Sequence, residues 1–242
     1  EMVIGLYDWA LVVDHHARTA WLATQGRDPQ TARDWNDLVR LFKQGGNPDS
    51  QGFRRLTPIL ADLSRADYDH AFRRIQAYIR AGDCYQVNFA QRFQARVEGD
   101  PWQAYLRLRA VNSAPYCAYL QYPWGSVLSS SPEQFLRLQK GRASTSPIKG
   151  TIAREQDPGL DRRQIQRLRN SEKDRAENLM IVDLLRNYFG KVCRFGSIQA
   201  TRLFEVESFA RIHHLVSTVA GELGQGEDAL SLLRACFPGG SI

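Results

Sequence analysis

Long apolar runs are missing from this chain. Nowhere does it hold the roughly 18 to 20 consecutive apolar residues that cross a bilayer, so no membrane-spanning helix is expected. Glu1 opens no succession of basic, apolar and small-residue zones like that of a secretory signal, and the chain reads as soluble and cytoplasmic. Cysteine is scarce: Cys84, Cys117, Cys193 and Cys236 stand far apart with no CxxC pair. That spacing argues against a zinc knuckle, a redox dithiol or a disulfide framework and leaves reduced, mostly buried thiols. Five histidines with no close His/Glu spacing give no zinc site. Lysine is rare as well, accounting for only five of the 32 basic residues. A run of basic residues interleaved with aromatics is also lacking. The net charge of +6 comes from basic residues scattered among acids, a distribution that disfavours nucleic acid and suits a small anionic substrate equally well.

What is present suffices for a folded core, since 43% of the 242 residues are hydrophobic, enough for one large domain or two small ones. The segment "MVIGLYDWALVVDHHARTAWLAT" alternates on both sides of His15 to Ala17 and predicts a hairpin. In "DPQTARDWNDLVRLFKQGG", Asp28 as N-cap, Pro29 in the first turn and Trp35, Leu38, Val39 and Phe42 at helical spacing predict a helix stopped by Gly-Gly. A polar loop over 45–58 follows, then a second helix, with Ser64 and Asp67 in capping-box spacing and Gly82 at its end. "CYQVNFAQRFQARV" has the two-residue period of a strand with one polar face. Asp100 and Pro101 open another helix. Residues 114–146 read as four short strands, 158–189 as helix, 190–222 as strands and "EDALSLLRACF" as a last helix. Strands in runs, with no internal repeat, indicate an α+β fold with a largely antiparallel sheet.

Five places could carry chemistry. In "SPIKGTIAR", Pro147 restricts Ser146 and Gly150 permits a sharp turn or a close approach, so Lys149 is expected on a stiff turn. An exposed loop lysine is the commoner outcome for such a residue, and a nucleophile needs burial or a neighbouring cation besides. Steps of three and four from Glu177 reach Met180, Ile181 and Leu184, which puts a carboxylate on an otherwise apolar helix stripe. A surface contact with Lys173 and a cleft or metal carboxylate both remain open there. Glu133 stands at a loop-to-strand junction in "SSSPEQF", where a surface acid is the ordinary case. His213 and His214 fall on opposite faces of a strand, and one should face inward. "FPGGSI" could form a nest of backbone amides for a carboxylate, although most Gly-Gly pairs are turns.

Taken in order and spacing, "AGDCYQVNFAQRF", "SSSPEQFL", "PIKGT", "KDRAENLMIVDLLRN", "HHLVSTVAGEL" and "FPGGSI" resemble the motifs of the chorismate-utilising enzymes over nearly the whole chain from Tyr7. Within that family the aminodeoxychorismate synthase component I branch is the most similar. The resemblance implies that Lys149 is a nucleophile, where anthranilate synthases carry alanine. It also implies that Gln86 marks an ammonia-using enzyme, where isochorismate and salicylate synthases carry a water-activating lysine. Glu133 matches the family's general acid, Glu177 a Mg²⁺ carboxylate, and His214 the second histidine of a pair close to the substrate ring. Thr151, Gly239, Gly240 and Ser241 would hold carboxylates. The fold implied is an antiparallel β-sandwich flanked by helices.

By the same resemblance, chorismate and ammonia would yield 4-amino-4-deoxychorismate, on the route to 4-aminobenzoate and folate. The ammonia would come from a separate glutamine amidotransferase subunit, because this chain offers no residues of its own for hydrolysing glutamine. Anthranilate synthase is the alternative within the family, and a non-catalytic scaffold that docks the amidotransferase is the alternative outside it. Tyr188 departs from the family's "LLRND", which has an acid at that position. The family also extends further at both ends, past a "TGAPK" that would follow Ile242. The expectation is therefore a chain incomplete at both ends that binds Mg²⁺ and chorismate poorly alone. Residues 1–63 would close an N-terminal subregion, and 64–242 would form a chorismate-binding domain truncated at its C-terminus.

Overall fold

In the computed structural model, which describes residues 3, 5–45 and 52–240, the alternating segments around His15 pair as a hairpin. Strand β1 (Trp9–Asp14) runs antiparallel to β2 (Thr19–Thr24). Asp14 Oδ1 closes the turn by accepting from the N–H groups of His16 and Ala17 at 2.8 and 2.9 Å. Helix α1 (Pro29–Gln44) starts where the Asp28 side chain accepts from the Gln30 N–H, and Phe42 meets Trp9 edge to face at 5.9 Å. These elements lie in one compact unit, Glu1–Ser50, and all the candidate site residues lie in a second, Gln51–Ile242.

The second unit begins with short strands β3 (Phe53–Arg55) and β4 (Leu60–Ala61), then α2 (Arg65–Ala81). Ser64 caps α2 by accepting from the Asp67 N–H, and Gly82 ends it in the left-handed conformation at φ 81°. The strand expected from Cys84 onward does not form as such. Only β5 (Phe93–Gln94) and β6 (Val97–Gly99) are strand, because β4 and β3 are the partners available to them and they reach no further. Residues 83–92 instead run as irregular chain, and this brings Gln86 to the candidate site in a loop.

After α3 (Pro101–Val111) come the four expected strands, β7 (Tyr116–Tyr122), β8 (Gly125–Ser131), β9 (Gln134–Gln139) and β10 (Arg142–Ser146). Strand β11 (Ile148–Ala153) follows Pro147. The helical stretch is two helices, α4 (Pro158–Arg169) and α5 (Glu172–Gly190), separated where Ser171 caps α5 by accepting from the Asp174 N–H. Strands β12 (Gln199–Ser208) and β13 (Ile212–Glu222) and helix α6 (Ala229–Cys236) complete the order. Strand β13 is the spine: β10, β11 and β12 all pair with it antiparallel, and β9 extends the sheet beyond β10.

Strands β10 and β11 are successive parts of one line along β13. Thr145 faces Val219 and Ile148 faces Val216, three residues on each side, so the register runs unchanged through Pro147. The Pro147 carbonyl still accepts from the Ser217 N–H at 3.2 Å, while its ring nitrogen has no hydrogen to give. Helix α5 packs on this spine because Asn178, Ile181, Val182, Leu185 and Phe189 recur at helical spacing and are all buried. The four apolar ones join Ala143, Val219 and the α6 residues Leu232 and Cys236 in one core. Each large apolar side chain buried there contributes roughly 1.5–3 kcal/mol. Tyr188 is half-buried against this core, with the Lys191 ammonium 5.1 Å over its ring.

Candidate active site

The stiff turn expected around Lys149 is a bulged strand. From Ile148 to Thr151 the β11 side advances three residues while β13 advances two, Val216 to His214. One extra residue is therefore accommodated, and Gly150 takes it up at φ +86°. Glycine is required there twice over. That φ suits only glycine without strain, and a Cβ would lie 2.9 Å from Asp174 Cβ and 3.1 Å from Leu168 Cδ1. The missing side chain thus lets β11 touch the first turn of α5 and sets Lys149 on a re-aimed segment of strand.

Lys149 is half-buried and opens on a hollow of about 760 Å³. Gln86 and Gly240 line the same hollow, together with Met180, Ile181 and Leu184 of α5. Asn88, Asp183 and Asn187 add polar groups that the sequence did not single out. Gly240 packs so closely on Leu184 that a side chain there would overlap it. Gly239 precedes it, and Ser241 lies outside the described residues.

Glu177 stands one turn before Met180 and Ile181 on the same stripe of α5, outside the residues that line the hollow. Its Oε1 faces Lys173 Nζ at 3.8 Å, with side chains 40% and 81% exposed respectively, a loose surface pair. No group of three or more His, Cys, Asp or Glu among the described residues could hold a metal ion. As a single hard carboxylate, Glu177 fits the kind of magnesium site in which protein supplies one or two carboxylates and substrate and water supply the rest.

Glu133 lies between β8 and β9, and its Oε1 accepts from the Ile148 N–H at 3.1 Å. Its carboxylate is thereby fixed beside the backbone that carries Lys149. Glu133 itself lines a different hollow, with Tyr116, Leu136 and α6 residue Leu232.

Both histidines are buried, each with its own partners. His214 is 5% exposed, its Nδ1 lies 2.8 Å from Thr151 Oγ1, and the Phe209 ring meets it edge on at 5.4 Å. Its Nε2 is buried without a hydrogen-bond partner among the described residues, a position open to a ligand or water. Burial pushes the His214 ring below its ordinary pKa, against the opposing pull of the Gly150 carbonyl and the Glu207 carboxylate. His213 points the other way, with Nδ1 2.7 Å from Ser208 Oγ and Nε2 2.9 Å from Asp161 Oδ1. Asp161 is another residue that the sequence did not single out. It accepts from the Glu155 N–H at 2.9 Å and from Arg154 at 3.0 Å. Those contacts, the Glu155 amide first, then His213 and Arg154, hold its carboxyl well below the usual range. An acid in the first turn of a helix is so ordinary that nothing in the sequence sets this one apart.

A family model described as "chorismate binding enzyme" matches residues 1–242. The chain is 48% identical over 242 residues to aminodeoxychorismate synthase component 1 of Salmonella typhimurium, covering all of this chain and 52% of that protein. It is 46% identical to the Escherichia coli K12 protein of the same name, with the same coverage. It therefore spans about half the length of the curated relatives it matches. Among solved structures, anthranilate synthase component I from Streptococcus pneumoniae superposes with a TM-score of 0.84 at 26% identity, covering 97% of this chain and 53% of that one. The α+β fold with antiparallel sheets is as expected, and the chain belongs to the family of chorismate binding enzymes.

Proposed function

We propose that this chain is part of an aminodeoxychorismate synthase, which replaces the ring hydroxyl of chorismate by an amino group. The observation that carries the reading is Lys149 on the β11 bulge, opening with Gln86 on one hollow. In the proposed reaction Lys149 Nζ attacks the ring as a free amine and forms a C–N bond. The ring C–O bond breaks as Glu133 gives its proton to the departing hydroxyl, which leaves as water. Ammonia then forms its own C–N bond at the carbon that lost the hydroxyl, and the lysine amine departs.

Chorismate is a dianion. His214 Nε2, which has no partner among the described residues, would donate to or accept from a substrate oxygen. Thr151 fixes the other side of that ring, and the backbone around Gly239 and Gly240 would offer amides to a carboxylate. Glu177 would hold Mg²⁺, which when bound would neutralise a substrate carboxylate. Ammonia would come from a separate glutamine amidotransferase subunit, in keeping with the "component 1" in the relatives' names.

The test is to supply chorismate, Mg²⁺ and an ammonium salt to the full-length protein without a partner. A product that keeps its enolpyruvyl group is expected. Fluorescent anthranilate would reassign the chain to the neighbouring activity, and no product at all would leave a scaffold.

A further inference from the structure

Asn178 has no exposed surface, although it follows Glu177 on α5 and sits among Ile181, Val182 and Leu185. A buried amide in an apolar core costs stability unless each of its atoms is partnered. Here the partners form one directed chain. The Phe204 N–H donates to Ser217 Oγ at 3.1 Å, so that hydroxyl has its proton free to give. It gives it to Asn178 Oδ1 at 2.5 Å. The amide nitrogen of Asn178 is then turned to the Leu215 carbonyl, to which it donates at 3.3 Å. The network links β12, β13 and α5 and favours one orientation, because reversing the amide would set Asn178 Oδ1 against the Leu215 carbonyl, two acceptors with no proton between them.

Phe204 shows that this link carries strain. Its φ is +57°, a left-handed conformation unusual for a bulky residue, and it lies within a register shift between Arg202 and Glu205. Such outliers persist where surrounding contacts over-determine them. On the α5 side the Arg175 guanidinium lies 4.7 Å over the Phe204 ring. One residue earlier, Asp174 fills the space left by Gly150 of β11. Asp174 is thus tied to β11 and both Arg175 and Asn178 to the Phe204–Ser217 network, and the three bracket Glu177. Among the described residues the carboxylate itself keeps only the loose contact with Lys173.

We infer that Asn178, Ser217, Phe204 and Arg175 are positioning residues that fix the rotation of the first turns of α5 and so aim the Glu177 carboxylate. This rests on the proposed role of Glu177 in holding Mg²⁺. Residues that orient a metal ligand typically change metal affinity about 10- to 100-fold when replaced.

The test uses the full-length protein, with Mg²⁺ affinity measured by calorimetry and the half-saturating Mg²⁺ concentration of the ammonia-dependent rate measured alongside. Asn178→Leu should weaken Mg²⁺ by about 10-fold on both measures, while kcat at saturating Mg²⁺ stays near wild type. Arg175→Ala, at an exposed site, should weaken it by at least about twofold, a smaller share of the same effect. If Glu177→Gln weakens Mg²⁺ while Asn178→Leu and Arg175→Ala leave it unchanged, the positioning role is overturned and the metal role stands. If Glu177→Gln also leaves Mg²⁺ unchanged, both are overturned.

Discussion

Replacing Gly150 by alanine tests the bulge that carries Lys149. At φ +86° an L-residue pays roughly 1–2 kcal/mol for the left-handed conformation. The new Cβ would also lie 2.9 and 3.0 Å from Asp174 Cβ and Cγ and 3.1 Å from Leu168 Cδ1. Leu168 is buried and Asp174 sits in the first turn of a clamped helix, so neither can retreat cheaply. Forcing a methyl into such a site typically costs about 1–3 kcal/mol more. The sum, about 2–5 kcal/mol, is a large part of the roughly 5–15 kcal/mol that keeps a domain folded. Urea unfolding of the full-length protein followed by circular dichroism measures it directly. With a slope of about 1–3 kcal/mol per molar urea, the midpoint should fall by about 1 M or more. A loss below about 1 kcal/mol, less than the backbone contribution alone, would mean that β11 shifts freely and that Gly150 does not set the position of Lys149.

Three further outcomes follow from the same contacts. Asp161 has a folded pKa below its ordinary 3.8, so its contribution to stability is complete above about pH 4 and is lost as pH falls toward the folded value. Asp161→Asn should lower stability at neutral pH and flatten the acid limb of a stability–pH curve, and an unchanged limb would refute the assignment. The His214 ring should titrate by NMR below 6.5, because burial disfavours its charged form; a midpoint at or above 6.5 would contradict its burial. Phe195 stands fully exposed at a turn, so Phe195→Ala should change stability by no more than about 0.5 kcal/mol, and a larger loss would mean that something covers it.

The elements that were legible in the sequence are those governed by nearby residues. Asp28 with Pro29, Ser64 with Asp67, and Asp100 with Pro101 announce helix starts through side chains within three residues of the capped N–H. The break between α4 and α5, read as one helical stretch, is written in the same grammar, since Ser171 and Asp174 repeat the spacing of Ser64 and Asp67. The irregular run over 83–92 was not, because alternation states which side chains could share a face and not whether a neighbouring strand reaches them. The line from β10 to β11 was hidden for a related reason. Pro147 and Gly150 look like turn residues locally, and only the long partner β13 reveals that the strand continues through one and bulges at the other.

The candidate site divides in the same way. The juxtaposition of Lys149 with Gln86 came from motif resemblance, and the stripe of Met180, Ile181 and Leu184 came from helical spacing. Asp161, Ser217 and Asn178 carry no local mark, because their importance arises only when distant strands bring their partners within hydrogen-bond reach.

The covalent step is the centre of the account, and mass spectrometry of the full-length protein reaches it most directly. Incubation with chorismate and Mg²⁺ but no ammonia should leave chorismate less one water attached to the chain, and digestion should place that mass on the peptide containing Lys149. Lys149→Ala should abolish it. An adduct that survives that substitution, or one mapped to another residue, would contradict Lys149 as the nucleophile.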